Sequence, residues 1–187
     1  MALPANYTNG FANGVTIRNV PLLQANPGKV FWVYNGSALQ VGQRGGSDGN
    51  KGTYDSPFST LDYAVGQCTA SRGDIIVIKP GHAETLSSAT ALNLDVAGIT
   101  IIGLGTGSLR PTFTLDTATT ATIPVSAANI AIKNCIFTAN FADIVSAFTL
   151  TTAKPFALEG CYVKATATNM NFIHLLDIER GYRSKQK

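Results

Sequence analysis

The segment Gly73-Asp74-Ile75-Ile76-Val77-Ile78-Lys79-Pro80-Gly81 decides the fold of this chain. It is a short apolar run bounded by glycines and a proline, a pattern that indicates a buried strand. We predict that this strand opens the first coil of a short right-handed, single-stranded parallel β-helix. The chain is then an all-β solenoid, and the sequence after this strand should repeat.

The sequence does repeat, because one phrase recurs three times. Its copies are Ala97-Gly98-Ile99-Thr100-Ile101-Ile102-Gly103, Ala128-Asn129-Ile130-Ala131-Ile132-Lys133-Asn134-Cys135-Ile136-Phe137 and Lys154-Pro155-Phe156-Ala157-Leu158-Glu159-Gly160-Cys161-Tyr162-Val163. Ile101 lies 31 residues before Ile132, which lies 26 residues before Leu158. Periods of this length mark stacked coils. The alternation of Ile99 with Ile101 directs these side chains inward, where neighbouring coils bury them, and the same spacing recurs from Ile130.

Further strands and one helix are predicted along the chain. The nine predicted strands are Asp74–Lys79, Leu92–Val96, Gly98–Leu104, Thr112–Leu115, Thr122–Val125, Ile130–Thr138, Ile144–Leu150, Phe156–Ala165 and Phe172–Leu176. Before them, apolar residues recur at helical spacing from Leu61 to Cys68, and Ser59 or Thr60 can cap the helix. We predict a short helix at about 58–68 whose apolar face covers the open end of the first coil.

Residues 1–41 are predicted to be an extended arm. Val15 to Val20 alternates apolar and polar residues, and residues 29–34 form the most aromatic strand of the chain. Such an arm has little partner surface of its own, so we expect it to pack on another subunit or on a larger assembly. Phe31 and Trp32 are adjacent on this strand and point to opposite faces, so one can face a local core while the other anchors a partner. The predicted partner-binding residues are Val15, Ile17, Val20, Leu22, Leu23, Val30, Phe31, Trp32, Val33 and Tyr34.

The 187 residues fit one domain, with the arm followed by the solenoid over 42–177 and a basic tail over 178–187. The formal net charge of +3 lies in that tail, which holds four basic residues and one acidic residue. The rest of the chain is neutral on balance, so there is no electrostatic case for specific nucleic-acid binding. Only 13% of residues are charged, which favours β structure with much of its surface hidden, in part by partner subunits. No apolar run is long enough to span a membrane, and the N-terminus lacks a signal-peptide pattern, so we expect no membrane partner.

Three cysteines and two histidines are the candidate metal ligands: Cys68, Cys135, Cys161, His82 and His174. They contain no CxxC pair and are widely spaced, so we expect no metal and no cofactor. The odd number of cysteines is typical of reduced, buried thiols, which indicates folding in a reducing cytosol. Cys135 and Cys161 fall at equivalent corners of successive coils, where packing of small thiols is favoured over a disulfide.

Two pairs of polar residues are candidates for catalysis. Asp116 and Asp143 lie 27 residues apart, about one coil, and could form the carboxylate pair of a glycoside hydrolase. Their flanks resemble turns and no basic residue accompanies them, which favours surface carboxylates. His82 and Glu84 could form an acid–base couple, but no nucleophile or metal ligand accompanies them, so turn contacts or an interface are favoured. The glycine-rich loop over 42–57 lacks phosphate-loop and calcium-loop spacing. We therefore expect no catalytic residue.

The first resemblance to a known family concerns the start of the solenoid. The phrases GTYDSPFSTLDYA over 52–64 and RGDIIVIKPGHAET over 72–85 resemble the opening of pectin-lyase-like parallel β-helices, in which a helix caps the first strand. The resemblance extends over residues 52 to about 177 and implies that fold. It implies no particular activity, because the fold has many functions.

The second resemblance is to virion structural proteins of tailed bacteriophages, of the head-decoration (cement) or head-fibre type. It lies in the arm phrases GVTIRNVPLL over 14–23 and PGKVFWV over 27–33, the loop GGSDGNKGT over 45–53, the cap helix, and DVAGITIIGLG over 95–105. It implies a homotrimer on the capsid surface of a virion, made in the host cytoplasm. The major capsid protein is then the partner, and the arm is the docking segment.

A carbohydrate-active module is the alternative, either a tailspike-like domain that degrades polysaccharide as a lyase or hydrolase, or one that binds glycans without cleavage. Its partner is a host-surface glycan, and it requires a groove with stacked carboxylates and aromatic residues on one face of the solenoid. The low charge, the apolar arm and the small number of coils favour the non-enzymatic structural function.

Overall fold

A computed structural model describes residues 28–37, 42–151 and 155–178, together with the backbone of residues 16–17 and 20–21. The described strands are β1 Thr16–Ile17, β2 Val20–Pro21, β3 Val30–Val33, β4 Ile75–Ile78, β5 Ala83–Leu86, β6 Thr100–Gly103, β7 Thr112–Leu115, β8 Ile123–Val125, β9 Ile130–Lys133, β10 Ile136–Ala139, β11 Ile144–Leu150, β12 Phe156–Glu159, β13 Tyr162–Ala165 and β14 Phe172–Ile178. The helix α1 spans Leu61–Gly66, and a 3₁₀ helix spans Gly107–Leu109.

Three parallel sheets enclose the core, and each sheet is one face of a solenoid. Face 1 contains β3, β4, β6, β9 and β12; face 2 contains β5, β7, β10 and β13; face 3 contains β8, β11 and β14. From β4 onward the chain visits faces 1, 2 and 3 in turn, and Leu94 represents face 3 in the first coil through a bridge to Val125. The result is a right-handed parallel β-helix of about four coils, which confirms the predicted fold class.

The core consists of side chains that stack in register from coil to coil. On face 1, Ile76 pairs with Ile101, which pairs with Ile132, and all three are buried. On face 2, Phe113 pairs with Phe137, and their stacked rings lie 5.7 Å apart. Parallel pairing places equivalent residues above one another, so the sequence repeat becomes a column of apolar side chains. Each fully buried side chain of this size contributes about 1.5–3 kcal/mol.

The chain turns between faces 1 and 2 at residues with a left-handed backbone. Asn134 has a φ of 58° and Gly160 has a φ of 60° at the equivalent corner of the next coil. The prediction of single strands over Ile130–Thr138 and Phe156–Ala165 is wrong in this respect, because a left-handed residue ends an extended run and each segment forms two strands. Asn134 Nδ2 also donates to the carbonyl oxygens of the preceding corner, at 2.8 Å to Gly103 and 3.0 Å to Gly105.

The helix α1 lies at the N-terminal end of the solenoid, within the segment predicted to be helical. Thr60 caps it, since its side chain accepts a hydrogen bond from the backbone N–H of Tyr63. Leu61, Ala64 and Val65 are buried in the same core as the first coil. The helix therefore covers apolar side chains that the first coil would otherwise expose.

Two carboxylates attach this helix to the first coil. Glu84 accepts a hydrogen bond from the backbone N–H of Leu61 at 3.1 Å, and Asp62 accepts one from the backbone N–H of Asn93 at 2.9 Å. Glu84 lies in β5, a strand that the sequence did not predict. Conversely, the predicted strand Leu92–Val96 is reduced to the bridge at Leu94.

The strand β3 lies inside the solenoid, although it falls within the segment predicted to be an external arm. Val30–Val33 pairs in parallel with Ile75–Ile78 and forms an edge strand of the sheet on face 1. Upstream, β1 and β2 form a short antiparallel pair that includes the backbone of Ile17 and Val20. Of the other predicted arm residues, Val15, Leu22 and Leu23 lie outside the described residues, as does the tail from 179 onward.

Candidate functional site

Asp74, immediately before β4, is fully buried, and its carboxylate accepts four hydrogen bonds. Arg72 donates two of them, from Nε to Oδ1 and from Nη2 to Oδ2, both at 2.7 Å. The backbone N–H groups of Lys29 and Thr69 donate the other two, also at 2.7 Å. One carboxylate therefore joins the segment before β3, the segment after α1 and the first coil.

These bonds determine the charge state of Asp74. Burial raises the pKa of this carboxyl. The hydrogen bonds from Arg72, Thr69 and Lys29 lower it by more than burial raises it, so the pKa lies below its ordinary value. The four accepted bonds occupy the acceptor positions of both oxygens. Asp74 thus stays ionised and acts as a structural clamp, with no position left for a substrate proton.

His82 and Glu84, the candidate acid–base couple, also connect parts of the fold. The buried imidazole accepts a hydrogen bond at Nδ1 from the backbone N–H of Asn35, at 3.2 Å, so the ring proton resides on Nε2. That Nε2–H donates to Glu84 at 3.2 Å, and the same carboxylate oxygen accepts from the N–H of Leu61. The couple links the turn after β3 to β5 and α1. The sequence favoured turn contacts or an interface for this couple, and the structure shows contacts with a turn and a helix of the same chain.

The other candidate catalytic pair, Asp116 and Asp143, does not occupy equivalent positions. The pairing of β7 with β10 places Leu115 beside Ala139, so the next residue, Asp116, corresponds to Asn140. Asp143 lies three residues further along the chain, in a left-handed turn with a φ of 52°. The register therefore gives no support to a stacked carboxylate pair. Within the described ranges, no cluster of three or more His, Cys, Asp or Glu residues could hold a metal ion.

The predicted aromatic residues of the arm divide between the two sides of β3. Phe31 packs against the core, with its ring 5.9 Å from that of Phe58. Val33 is fully buried in this chain, so its predicted role in binding a partner is incompatible with the structure. Trp32 points outward, where its ring meets that of Tyr54 edge-on at 4.9 Å.

Two tyrosines, Tyr34 just after β3 and Tyr54 in the loop over 42–57, flank a buried lysine. Lys79 Nζ lies 4.2 Å from the ring centroid of Tyr54 and 5.9 Å from that of Tyr34. Burial lowers the pKa of this ammonium group, against an opposing effect of Asp55. The cation–π contacts fix the loop that carries Tyr54 onto face 1. The aromatic strand thus stabilises its own chain before it offers any surface to a partner.

The three thiols are free and poorly suited to reaction. Burial raises the pKa of Cys68 to about 12, and it also raises the pKa of Cys135 and Cys161. The register of β10 with β13 places the two corner cysteines at equivalent positions, as predicted. Since the thiolate is the nucleophile, these residues are packing groups in the structure.

Face 3 carries an apolar patch on its outer surface, which we call the face-3 patch: Val145, Ile173 and Leu175. Their side chains are 43%, 53% and 44% exposed, and β11 pairs with β14 so that Val145 lies beside Ile173. Next to the patch, the hydroxyl groups of Thr122, Ser146 and Thr149 bond one another at 2.9–3.3 Å. These hydroxyls satisfy each other, and Asp177, which pairs with Thr149, places one carboxylate beside them.

Face 2 carries a groove that the sequence did not predict. It has a volume of about 310 Å³ and is lined by Gly107, Arg110, Ile136, Tyr162 and Lys164. These residues come from three successive coils and are up to 57 positions apart in the sequence. No local motif could have identified the groove; only the coil register brings the residues together.

No helix in the part of the chain that the structure describes is long and apolar enough to cross a membrane. Comparisons with protein-family models, with curated proteins and with solved structures gave no match.

Proposed function

We propose that this chain is a structural protein of a tailed-bacteriophage virion, which decorates the capsid shell as a cement or head-fibre protein and works as a homotrimer. The observation that carries the proposal is the face-3 patch. Exposed apolar side chains that adjoin on neighbouring strands mark a surface for another protein. Lateral packing of solenoids around a three-fold axis would bury such a surface in each subunit.

The chemistry of the described polar residues supports a structural role. Asp74 and the His82–Glu84 couple connect the cap helix and the segment after it to the first coil, and Lys79 holds the loop of Tyr54 on face 1. The described carboxylates form no stacked pair. Ionisable groups that hold the parts of one chain together in this way are typical of a structural protein, whereas a catalyst needs such groups free to reach a substrate.

The oligomeric state tests the trimer. Sedimentation velocity of the full chain should give three times the monomer mass of 19.6 kDa. Changing Val145→Lys together with Ile173→Lys should give monomers, because burying unpaired charge at an interface is unfavourable. The matched control is Leu109→Lys, another exposed apolar residue, which should leave the trimer intact. A monomeric full chain at millimolar concentration would refute the proposal.

Virion binding is tested separately through the arm. A variant that lacks residues 1–27 keeps β3 and therefore the solenoid. Virions produced from the genome that encodes the chain should contain the full-length protein by immunoblot after density-gradient purification, and immunogold labelling should mark their heads. The truncated variant should be absent from the virions. Absence of the full-length protein from purified virions would contradict the capsid assignment.

A further inference from the structure

The groove on face 2 is organised by Arg110, which lies before β7. Its guanidinium lies 4.3 Å from the ring centroid of Tyr162, and Nη1 donates to the carbonyl of Gly160 at 3.3 Å. The side chain thus reaches from the second coil to the fourth and is held in place by both contacts. Lys164, two residues after Tyr162 on the same strand, places a second cation at the groove. The described lining contains two cations and no carboxylate.

The floor of the groove belongs to β10. Ile136 and Thr138 lie on the outward side of this strand, because the residues that alternate with them, Phe137 and Ala139, belong to the core. Thr138 is only 3% exposed, and it pairs with Lys164 across the strands. An apolar group and a hydroxyl group therefore lie side by side on this face, next to the two cations.

Unsatisfied polar atoms concentrate at this place. Among the described residues, three buried side-chain nitrogen or oxygen atoms have no hydrogen-bond partner, and two of them are Arg110 Nε and Thr138 Oγ1. Buried polar groups are nearly always bonded in native proteins, so such orphans require an explanation. Arg110 itself lines the groove, and Thr138 lies beside it on β10, so two donors without a partner adjoin the groove from within the protein.

We propose that this groove binds an acidic sugar unit, a pyranose ring that carries a carboxylate. Arg110 and Lys164 pair with the carboxylate, and the ring of Tyr162 and the side chain of Ile136 contact the apolar C–H side of the sugar. The volume of about 310 Å³ lies at the lower end of the range for ligand pockets, about 300–1,000 Å³, which suits one such unit. A bare phosphate would use the cations but would leave the apolar side chains without a role.

Titration of the full-length chain with defined oligosaccharides tests this site. The probes are galacturonate and glucuronate trisaccharides, neutral maltotriose and inorganic phosphate, with affinity measured by calorimetry and the location by amide chemical shifts. We expect an acidic trisaccharide to bind at least about tenfold more tightly than maltotriose or phosphate, since bonds to charged groups typically contribute that much. The shifts should centre on 110, 136–138 and 162–164.

Two variants isolate the contributions to binding. Lys164→Gln should weaken acidic-sugar binding about tenfold, whereas Lys51→Gln, the same change at an exposed lysine outside the groove, should leave it unchanged. Tyr162→Ala should weaken binding of the acidic sugar more than binding of phosphate, because it removes the apolar surface for the sugar as well as the ring that holds Arg110. Failure of both acidic trisaccharides to bind at millimolar concentration would overturn the assignment. So would phosphate binding as tight as theirs, or equal effects of the two lysine substitutions. None of these outcomes depends on the trimer or on the capsid.

Discussion

Replacing Asp74 with asparagine is the most direct test of the structural clamp. The substitution keeps the size of the side chain, but it removes the charge and one of the two acceptor oxygens. Two of the four accepted hydrogen bonds are then lost, and the new amide donor faces groups that are themselves donors. Arg72, which bonds both carboxylate oxygens at 2.7 Å, loses one of these hydrogen bonds and the charge that balances its own.

The cost follows from these contacts. Each hydrogen bond to a charged group contributes about 1.5–3 kcal/mol, so the loss of two gives about 3–6 kcal/mol. The Arg72 side chain is 25% exposed, so water can solvate part of the released guanidinium. We therefore expect a loss of about 3–5 kcal/mol, the range found when one partner of a buried ion pair is removed. For a chain of this size, that corresponds to a fall in Tm of about 6–20 °C.

Urea unfolding followed by circular dichroism measures this loss directly. The matched control is Asp95→Asn, the same change at an exposed residue, which should alter the free energy of unfolding by less than about 0.5 kcal/mol. If the two variants were equally stable, the clamp would not hold the cap and the first coil together as the contacts indicate.

The same clamp predicts a dependence of stability on pH. Because the folded pKa of Asp74 lies below its ordinary value, ionisation stabilises the fold above about pH 4, the unfolded pKa, and this contribution disappears as pH falls through the folded pKa. The difference in stability between the wild-type chain and Asp74→Asn should therefore shrink below about pH 4. A difference that stayed constant down to pH 2 would show that the carboxylate charge does not cause it.

Three further predictions concern the core, one corner and the thiols. Phe113→Ala should lower the free energy of unfolding in urea by about 3–5 kcal/mol because it removes one layer of the aromatic column on face 2; a loss below about 1 kcal/mol would contradict that packing. Asn134→Gly should be better tolerated than Asn134→Ala by about 1 kcal/mol, since both lose the side-chain bonds but only alanine strains the left-handed backbone; equal losses would argue against that strain. Cys68 and Cys135 should resist iodoacetamide at pH 7 in the folded chain and react after unfolding in urea, as mass spectrometry would show, and rapid labelling of the native protein would contradict their burial.

The coils were predictable because the apolar pattern that indicates them is contained in short segments of sequence and is repeated. Ile101, Ile132 and Leu158 recur within similar phrases, and a repeated apolar alternation has few structural solutions other than stacking. The repeat also placed corners at Cys135 and Cys161, but it did not predict their backbone conformation. Asn134 is an ordinary polar residue in the sequence, and its left-handed conformation is fixed by the carbonyls of Gly103 and Gly105 in the coil before it.

The partner of the aromatic strand β3 could not be predicted from its own residues. Its pairing with β4 spans 45 positions, and a strand that closes a sheet has the same apolar alternation as one that docks on another chain. The strand β5 was missed for a related reason. In the sequence Glu84 is typical of a turn, and only the structure shows that its carboxylate accepts a hydrogen bond from α1. The groove around Arg110 was equally hidden, because its residues converge only through the register of three coils.

The two proposed surfaces lie on different sides of the same coils, and this separation has a consequence. The face-3 patch involves β11 and β14, whereas the groove involves β10 and β13 on face 2. If subunits associate laterally through face 3, the groove remains open to solvent in the assembly. Disrupting the patch with Val145→Lys and Ile173→Lys should therefore abolish trimers without weakening the binding of an acidic trisaccharide. Loss of both properties together would mean that the groove is completed by a neighbouring subunit, and that faces 2 and 3 belong to one interface.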